Sequence, residues 1–317
     1  MTPSVVTLAG GVGAAKLLAG LVVAHPPGDQ LAVVNTADDT VLHGLHVSPD
    51  LDTVVYTLAG AVNPDTGWGL TGETWQAMDA LERYGGITWF RLGDRDLATH
   101  LYRTHRLGQG AELATITAEI AAAWGLELAV LPATNDRIET RVTTVDEGEI
   151  GFQDYFVRRR HDVAVTDIRV DGSDRARPAP GVTEALASAV SIIIAPSNPI
   201  VSIGPVLEVP GIRDAVAARR DAVVAVSPIV DGAALKGPAD RLMRELGHEC
   251  SVVGVARLYR DVAATLVIDE ADAHLADQVE AAGLTCIVAP TVMDGVESAT
   301  ALARVVLSCA PDKSGAH

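Results

Sequence analysis

Short, wholly apolar stretches recur along the chain. Each ends in a polar or glycine-rich turn, and stretches with helical spacing lie between them. Ser4–Leu8 comes first, followed at once by Gly10, Gly11 and Gly13, and Ala14–Val23 then has helical periodicity. The chain therefore opens as strand, glycine loop, helix. Leu31–Asn35 predicts a second buried strand, and Thr74–Tyr84 and Ala111–Trp124 predict helices. Arg141–Val145 and Glu149–Phe152 predict a hairpin over an Asp-Glu-Gly turn. Further on, Ile192–Ala195, Ala222–Val226, Val252–Val255, Leu266–Ile268 and Cys286–Ala289 read as strands, with helical patterns such as Ala239–Leu246 and Ala271–Ala282 between most of them.

Strands alternating with helices imply an α/β fold, a mostly parallel sheet covered on both faces. No internal repeat or low-complexity linker divides the 317 residues, so one α/β domain over 1–317 is expected. An insertion or smaller subdomain is expected around 136–180, where the charged segment from Gln153 to Pro180 carries two prolines near its end. The tail, Pro311–His317, reads as frayed. With 48% hydrophobic residues a large core is available, but only 4% are aromatic, so Ala, Val, Leu and Ile must fill it.

Other features narrow the class. No apolar run reaches the roughly 18 residues of a membrane span, and MTPSVVTLAGG lacks the basic start of a signal peptide. A cytoplasmic protein without a membrane partner is expected. Cys250, Cys286 and Cys309 are scattered, which argues against a disulfide framework and a structural zinc site. With 24 basic against 41 acidic residues, the net charge of −17 offers no whole-surface footprint for nucleic acid. A local site for a small anion remains compatible with that balance.

In parallel α/β folds, ligands bind beyond the carboxyl ends of the strands. Four polar regions stand there or follow. The loop Gly10-Gly11-Val12-Gly13, with Lys16 one turn into the helix, offers backbone N–H groups to a phosphate, although it has neither the P-loop nor the GxGxxG spacing. Asp38, Asp39, Asp50 and Asp52 bring four carboxylates within fifteen positions. Asp50 and Asp52 alternate, so on an extended segment they would face one side. Converging carboxylates repel unless a cation or proton relieves them, and Mg²⁺ suits one or two carboxylates plus substrate phosphates. The bland alternative is that single Asp residues here cap helices. Aromatic residues concentrate between Trp68 and Phe90, where a flat ligand can stack, although Trp75 and Trp89 also suit a core. Finally, Pro196-Ser197-Asn198-Pro199 and Ser227-Pro228 follow buried strands, and prolines pre-organise such loops for a nucleotide. No Ser-His-Asp order, Cys-His pair or HxxxH spacing appears, so covalent hydrolysis and a transition-metal site are not indicated.

The segments GGVGAAK, SPDLDTVVY, WFRLGDRDLATH, QDYFV, APSNPIVSIGP and VSPIVDGAALKGPA, in this order from about Thr7 to Met293, resemble the 2-phospho-L-lactate transferase family of coenzyme F-420 biosynthesis. Val12 stands where that family often has Thr. Actinobacterial members are phosphoenolpyruvate transferases. The resemblance implies a Rossmann-like core, a homodimer and Mg²⁺ as cofactor. It further implies attack by the ribityl hydroxyl of the deazaflavin Fo on a guanosine-diphosphate-linked three-carbon acid, with GMP leaving. Carried over by motif, Asp52 and Arg91 contact Fo, with Trp68 in the same aromatic region. Gly10, Gly11, Gly13, Lys16, Ser197, Asn198 and Ser227 hold the nucleotide, Asp39 and Asp50 hold the metal, and Asp50 and Asp52 are the catalytic pair. Two rival classes remain open at this point. An NAD(P)-dependent oxidoreductase would want GxGxxG, and a non-catalytic nucleotide- or deazaflavin-binding protein would not need the carboxylates. Thermal-shift comparison of GDP, NAD and Fo separates the three.

Overall fold

The structure is a computed structural model that describes residues 3–309, so the expectation for 311–317 lies outside the described residues. Seven strands form a parallel sheet: β1 (Val5–Ala9), β2 (Gln30–Val34), β3 (Ala129–Pro132), β4 (Ser191–Ile194), β5 (Val223–Val226), β6 (Thr265–Ile268) and β7 (Thr285–Val288). Their spatial order is β7-β6-β5-β4-β1-β2-β3, all neighbours parallel. β1 is buried at every position. Val6 and Leu8 join Ile192 and Ile194 in one core, while Val5 and Ala9 join Ile193 and Ala195 in another. Two apolar layers therefore cover opposite faces of the sheet, as near-continuous apolar strands demand.

Helix α1 (Gly11–Ala24) follows β1 without a linker. It packs against the last described helix closely enough that a Cβ on Gly20 would meet the Ala299 carbonyl oxygen at 2.2 Å. The intervening helices that position the site are α2 (Pro49–Leu58) and α3 (Asp96–Gly108). A separate antiparallel sheet, Gly148–Gly151, Glu139–Thr144 and Val165–Asp171 in that order, lies within the stretch 136–180. Among the described residues no helix is long and apolar enough to cross a membrane, and Cys250, Cys286 and Cys309 are free.

Three expectations need correction. Val252–Val255 is not a strand but the start of α4 (Val252–Tyr259). The Ser251 hydroxyl accepts hydrogen bonds from Val253 N (3.1 Å) and Gly254 N (3.2 Å), an N-cap that decides a short apolar run of ambiguous period. The helix read over Ala271–Ala282 is split into a 3₁₀ stretch, Glu270–Leu275, and a helical turn, Ala276–Ala281. Strand β3, at the sheet edge, was not predicted; its apolar run ends in Pro132, which reads against a strand except at a sheet edge.

Candidate active site

Between β1 and β4 the sheet changes direction of growth. From β1 the chain moves to β2 and β3; from β4 it moves the other way, to β5, β6 and β7. The helices that follow β1 and β4 therefore pack on opposite faces of the sheet, which opens a crevice at the strand ends. A cleft of about 630 Å³ lies there. It gathers Gly10, Gly11, Gly13, Lys16, Asp50, Asp52, Trp68, Arg91, Ser197, Asn198 and Ser227 from six separate stretches of chain. Asp39 stands apart: it lines a neighbouring cavity of about 210 Å³ behind Asp38, which borders both.

The glycine loop and the proline loop are built against each other. Ser197 Oγ donates to the Gly10 carbonyl at 2.6 Å. A Cβ on Gly13 would come within 2.2 Å of the Pro196 carbonyl oxygen, so glycine is needed for that approach. Gly11 has φ +70° and turns the backbone into α1. Asn198 Oδ1 accepts from Ile200 N (2.9 Å) and Val201 N (3.3 Å), which pins the loop. Its Nδ2 is buried without a partner, a donor available to a ligand on this cleft-lining residue. Ser227 is occupied locally: Oγ donates to Ile229 O (2.9 Å) and accepts from Ile229 N (3.1 Å). Lys16 Nζ donates to Met293 O at 2.7 Å and keeps two further donors.

The carboxylates do not converge as an extended segment would make them. Pro49 starts α2, so Asp50 and Asp52 sit in its first turn and diverge around the helix. Asp50 accepts from Asn35 Nδ2 at 3.0 Å and from the Gly11 backbone N–H. Burial, then the nearby Asp39, push its carboxyl up to about 7 against the hydrogen bonds from Asn35 and Gly11. Burial and the same carboxylate neighbours also raise Asp38 well above the usual range. Asp39 Oδ2 takes Ser48 Oγ (2.6 Å) and His46 Nε2 (2.9 Å), while its Oδ1 is buried without a partner.

Asp52 belongs to a different network. Its two oxygens meet both terminal nitrogens of buried Arg103 on α3, one contact at 3.1 Å and the other, Nη2 to Oδ1, shorter. Burial raises the Asp52 carboxyl, opposed mainly by that guanidinium. His100 lies between two carboxylates, with Nδ1 3.7 Å from Asp52 Oδ2 and Nε2 3.1 Å from Asp96 Oδ2. The second approach is not aligned as a hydrogen bond, so Nε2 is buried without one. Tyr56 Oη donates to Asp96 at 2.7 Å. Burial works against ionisation of Asp96, but contact with His100 and Tyr56 outweighs it and holds its carboxyl below the usual range. Asp52, Asp96 and His100 are near enough to share a metal ion.

The outer wall is aromatic. Trp68, half exposed, Phe90, Phe152 and Phe156 all line the cleft. Phe152 and Phe156 stack at 5.5 Å between centroids with planes 9° apart. Arg91 lies over the Trp75 ring at 5.1 Å and donates to Asp79 at 2.8 Å. The charged run before α3 does cap helices. Asp94 accepts from Gln76 N and Ala77 N, and Glu73 accepts from Arg95 N and Asp96 N.

The chain's sequence is matched over residues 5–302 by the family described as 2-phospho-L-lactate transferase CofD. The chain belongs to that family. It is 45% identical to the phosphoenolpyruvate transferase of Streptomyces griseus over 97% of this chain and 98% of that protein. It is 45% identical to that of Kitasatospora aureofaciens and 39% to that of Mycolicibacterium smegmatis, each over 96% of this chain and 97% or 98% of the relative. A Bacillus halodurans protein of the UPF0052 family shares the fold, with a TM-score of 0.61 and 18% identity over 97% of this chain and 99% of that one. CofD membership makes the chain a metal-dependent transferase of phosphate-bearing groups in coenzyme F-420 biosynthesis. The oxidoreductase and binding-only readings are thereby set aside.

Several CofD cleft residues escaped sequence reasoning: Tyr56, Asp96, His100 and their neighbour Arg103, together with Phe152 and Phe156. A signal for the first group exists. Asp96, His100 and Arg103 fall at i, i+4 and i+7, one face of one helix.

Proposed function

We propose that the chain transfers a phosphoenolpyruvyl or 2-phospholactyl group from a guanosine-diphosphate-linked donor to the terminal ribityl hydroxyl of Fo, releasing GMP. The hydroxyl oxygen forms a bond to the phosphorus bearing the three-carbon acid, and that phosphorus loses its bond to the GMP oxygen. The observation that supports this most is that one cleft carries both kinds of contact: glycine N–H groups, Lys16 and the unpaired Asn198 amide, which suit a nucleoside diphosphate, and four aromatic side chains, which suit a flat tricycle. In this reading Asp52, which lines the same cleft, accepts the hydrogen of the acceptor hydroxyl, and Arg91 and Trp68 contact Fo.

The donor set around Asp50 fits a hard divalent cation. It is all oxygen, the Asp38 and Asp50 carboxyls are raised, no Lys or Arg contacts the set, and Asp39 keeps a buried oxygen unpaired. Asp52, Asp96 and His100 fit less well, because Arg103 already supplies the positive charge there. We assign Mg²⁺ to Asp50 and Asp39, with Asp38 as the second carboxylate facing the cleft. When bound, the ion neutralises the charge developing on the phosphates. The same reading takes the enzyme to act as a homodimer in the cytoplasm, on small molecules only.

Calorimetry with Fo, with and without GDP and Mg²⁺, tests the assignment. Binding of Fo is expected; absence of Fo binding under every condition refutes the acceptor.

A further inference from the structure

The cleft wall at Asp52 depends on a residue that does not itself reach the cleft. Arg103 is 2% exposed, is not part of the cleft lining, and projects from α3 toward α2. Its fork holds both Asp52 oxygens, and its Nη1 also approaches His46 O and His100 Nδ1, each at 3.3 Å. The groups facing it are Asp52 on α2, His100 on its own helix, the His46 carbonyl, and, farther off, the charges of Asp39 and Tyr56. A buried guanidinium that grips both oxygens of one carboxylate leaves that carboxylate little rotational freedom. Asp52 is the only member of the pair that borders the cleft.

We propose that Arg103 is a positioning residue for transfer, fixing through Asp52 the carboxylate that receives the acceptor hydroxyl. The inference rests on the acceptor role given to Asp52 above. It explains why this end of the cleft has a buried Arg where the Asp50 end has none. One carboxylate must keep its direction without a metal, while the other is left to bind one. Lys at 103 keeps the charge but offers a point donor in place of the planar fork, so direction is lost before charge.

The test is a double-mutant cycle read by steady-state kinetics in both substrates, with GDP affinity by calorimetry alongside. Arg103→Lys is expected to lower kcat on the order of 10²-fold, the scale for misplacing a reacting group. The donor KM and GDP affinity are expected to stay unchanged. Arg103→Met can unfold by stranding Asp52, so the neutral pair Asp52→Asn with Arg103→Met is the second arm. That pair is expected to be no slower than Asp52→Asn alone. Multiplying losses in the pair, or a parallel fall in GDP affinity for Arg103→Lys, would make Arg103 merely structural and overturn the proposal. Unchanged acceptor kinetics in Asp52→Asn would instead refute the role of Asp52, and the proposal with it.

Discussion

Asp50→Asn is expected to make the protein more stable while making it a poorer enzyme. In the metal-free fold the Asp50 carboxyl is raised from 3.8 to about 7, chiefly by burial and then by Asp39. A group whose folded value lies above its unfolded value contributes stability at low pH, and that contribution is lost as pH rises through the folded value. The folded chain thus loses stability between about pH 4 and pH 7, where the unfolded chain gives up this proton first. At 1.36 kcal/mol per pH unit, the full penalty at pH 8 is about 4 kcal/mol. Water at the cleft mouth and relaxation of Asn35 reduce it, and about 2 kcal/mol is a fair expectation. In a chain of 317 residues that is roughly 3 °C in Tm. Asn keeps the shape and an acceptor for Asn35 or Gly11, but carries no charge. Differential scanning calorimetry at pH 5 and pH 8 in EDTA should show the advantage of Asp50→Asn over the wild type at pH 5 at less than half its size at pH 8. Added Mg²⁺ should raise the wild type at pH 8 and leave the variant in place, since a ligand stabilises only the form that binds it. A variant no more stable than wild type at pH 8, or one stabilised equally at both pH values, would refute this account of the charge at Asp50.

Two further outcomes follow from the loops. Gly13→Ala places a methyl 2.2 Å from the Pro196 carbonyl oxygen, so the two loops must separate; denaturation should show a loss of about 1–3 kcal/mol together with weaker GDP binding, and unchanged values for both would mean the loops are not held against each other. Asn198→Ala removes both the unpaired Nδ2 and the Oδ1 that holds Ile200 and Val201, so GDP affinity should fall on the order of tenfold, about the 1–1.5 kcal/mol of one hydrogen bond; equal affinity would leave the residue a turn former.

What the sequence made legible was local. The opening strand, Gly10 to Gly13, and the prolines around Asn198 announce themselves within a few residues, because steric demands at a strand end are met by neighbours in sequence. Val252–Val255 misled because its period is too short to separate strand from helix, and one hydroxyl, Ser251, decides. Asp50 and Asp52 were placed on one face because the rule for an extended chain was applied where Pro49 begins a helix. Arg103 was invisible for another reason. Its partner is 51 positions away, and nothing in either segment names the other until α2 and α3 pack.

The crossing between β1 and β4 has a consequence for how the molecule comes into being. Gly10 and Ser197 are 187 positions apart, yet one hydrogen bond joins them at the base of the cleft. Their meeting closes one of the longest loops in the chain, a slow and entropically costly event during folding. A nascent chain released before β4 has the glycine loop but nothing to seat it against. On the proposed function, nucleotide capture is therefore expected to be a late event, and GDP present during refolding is expected to act as a clasp on the two halves of the sheet, selecting molecules in which both have closed.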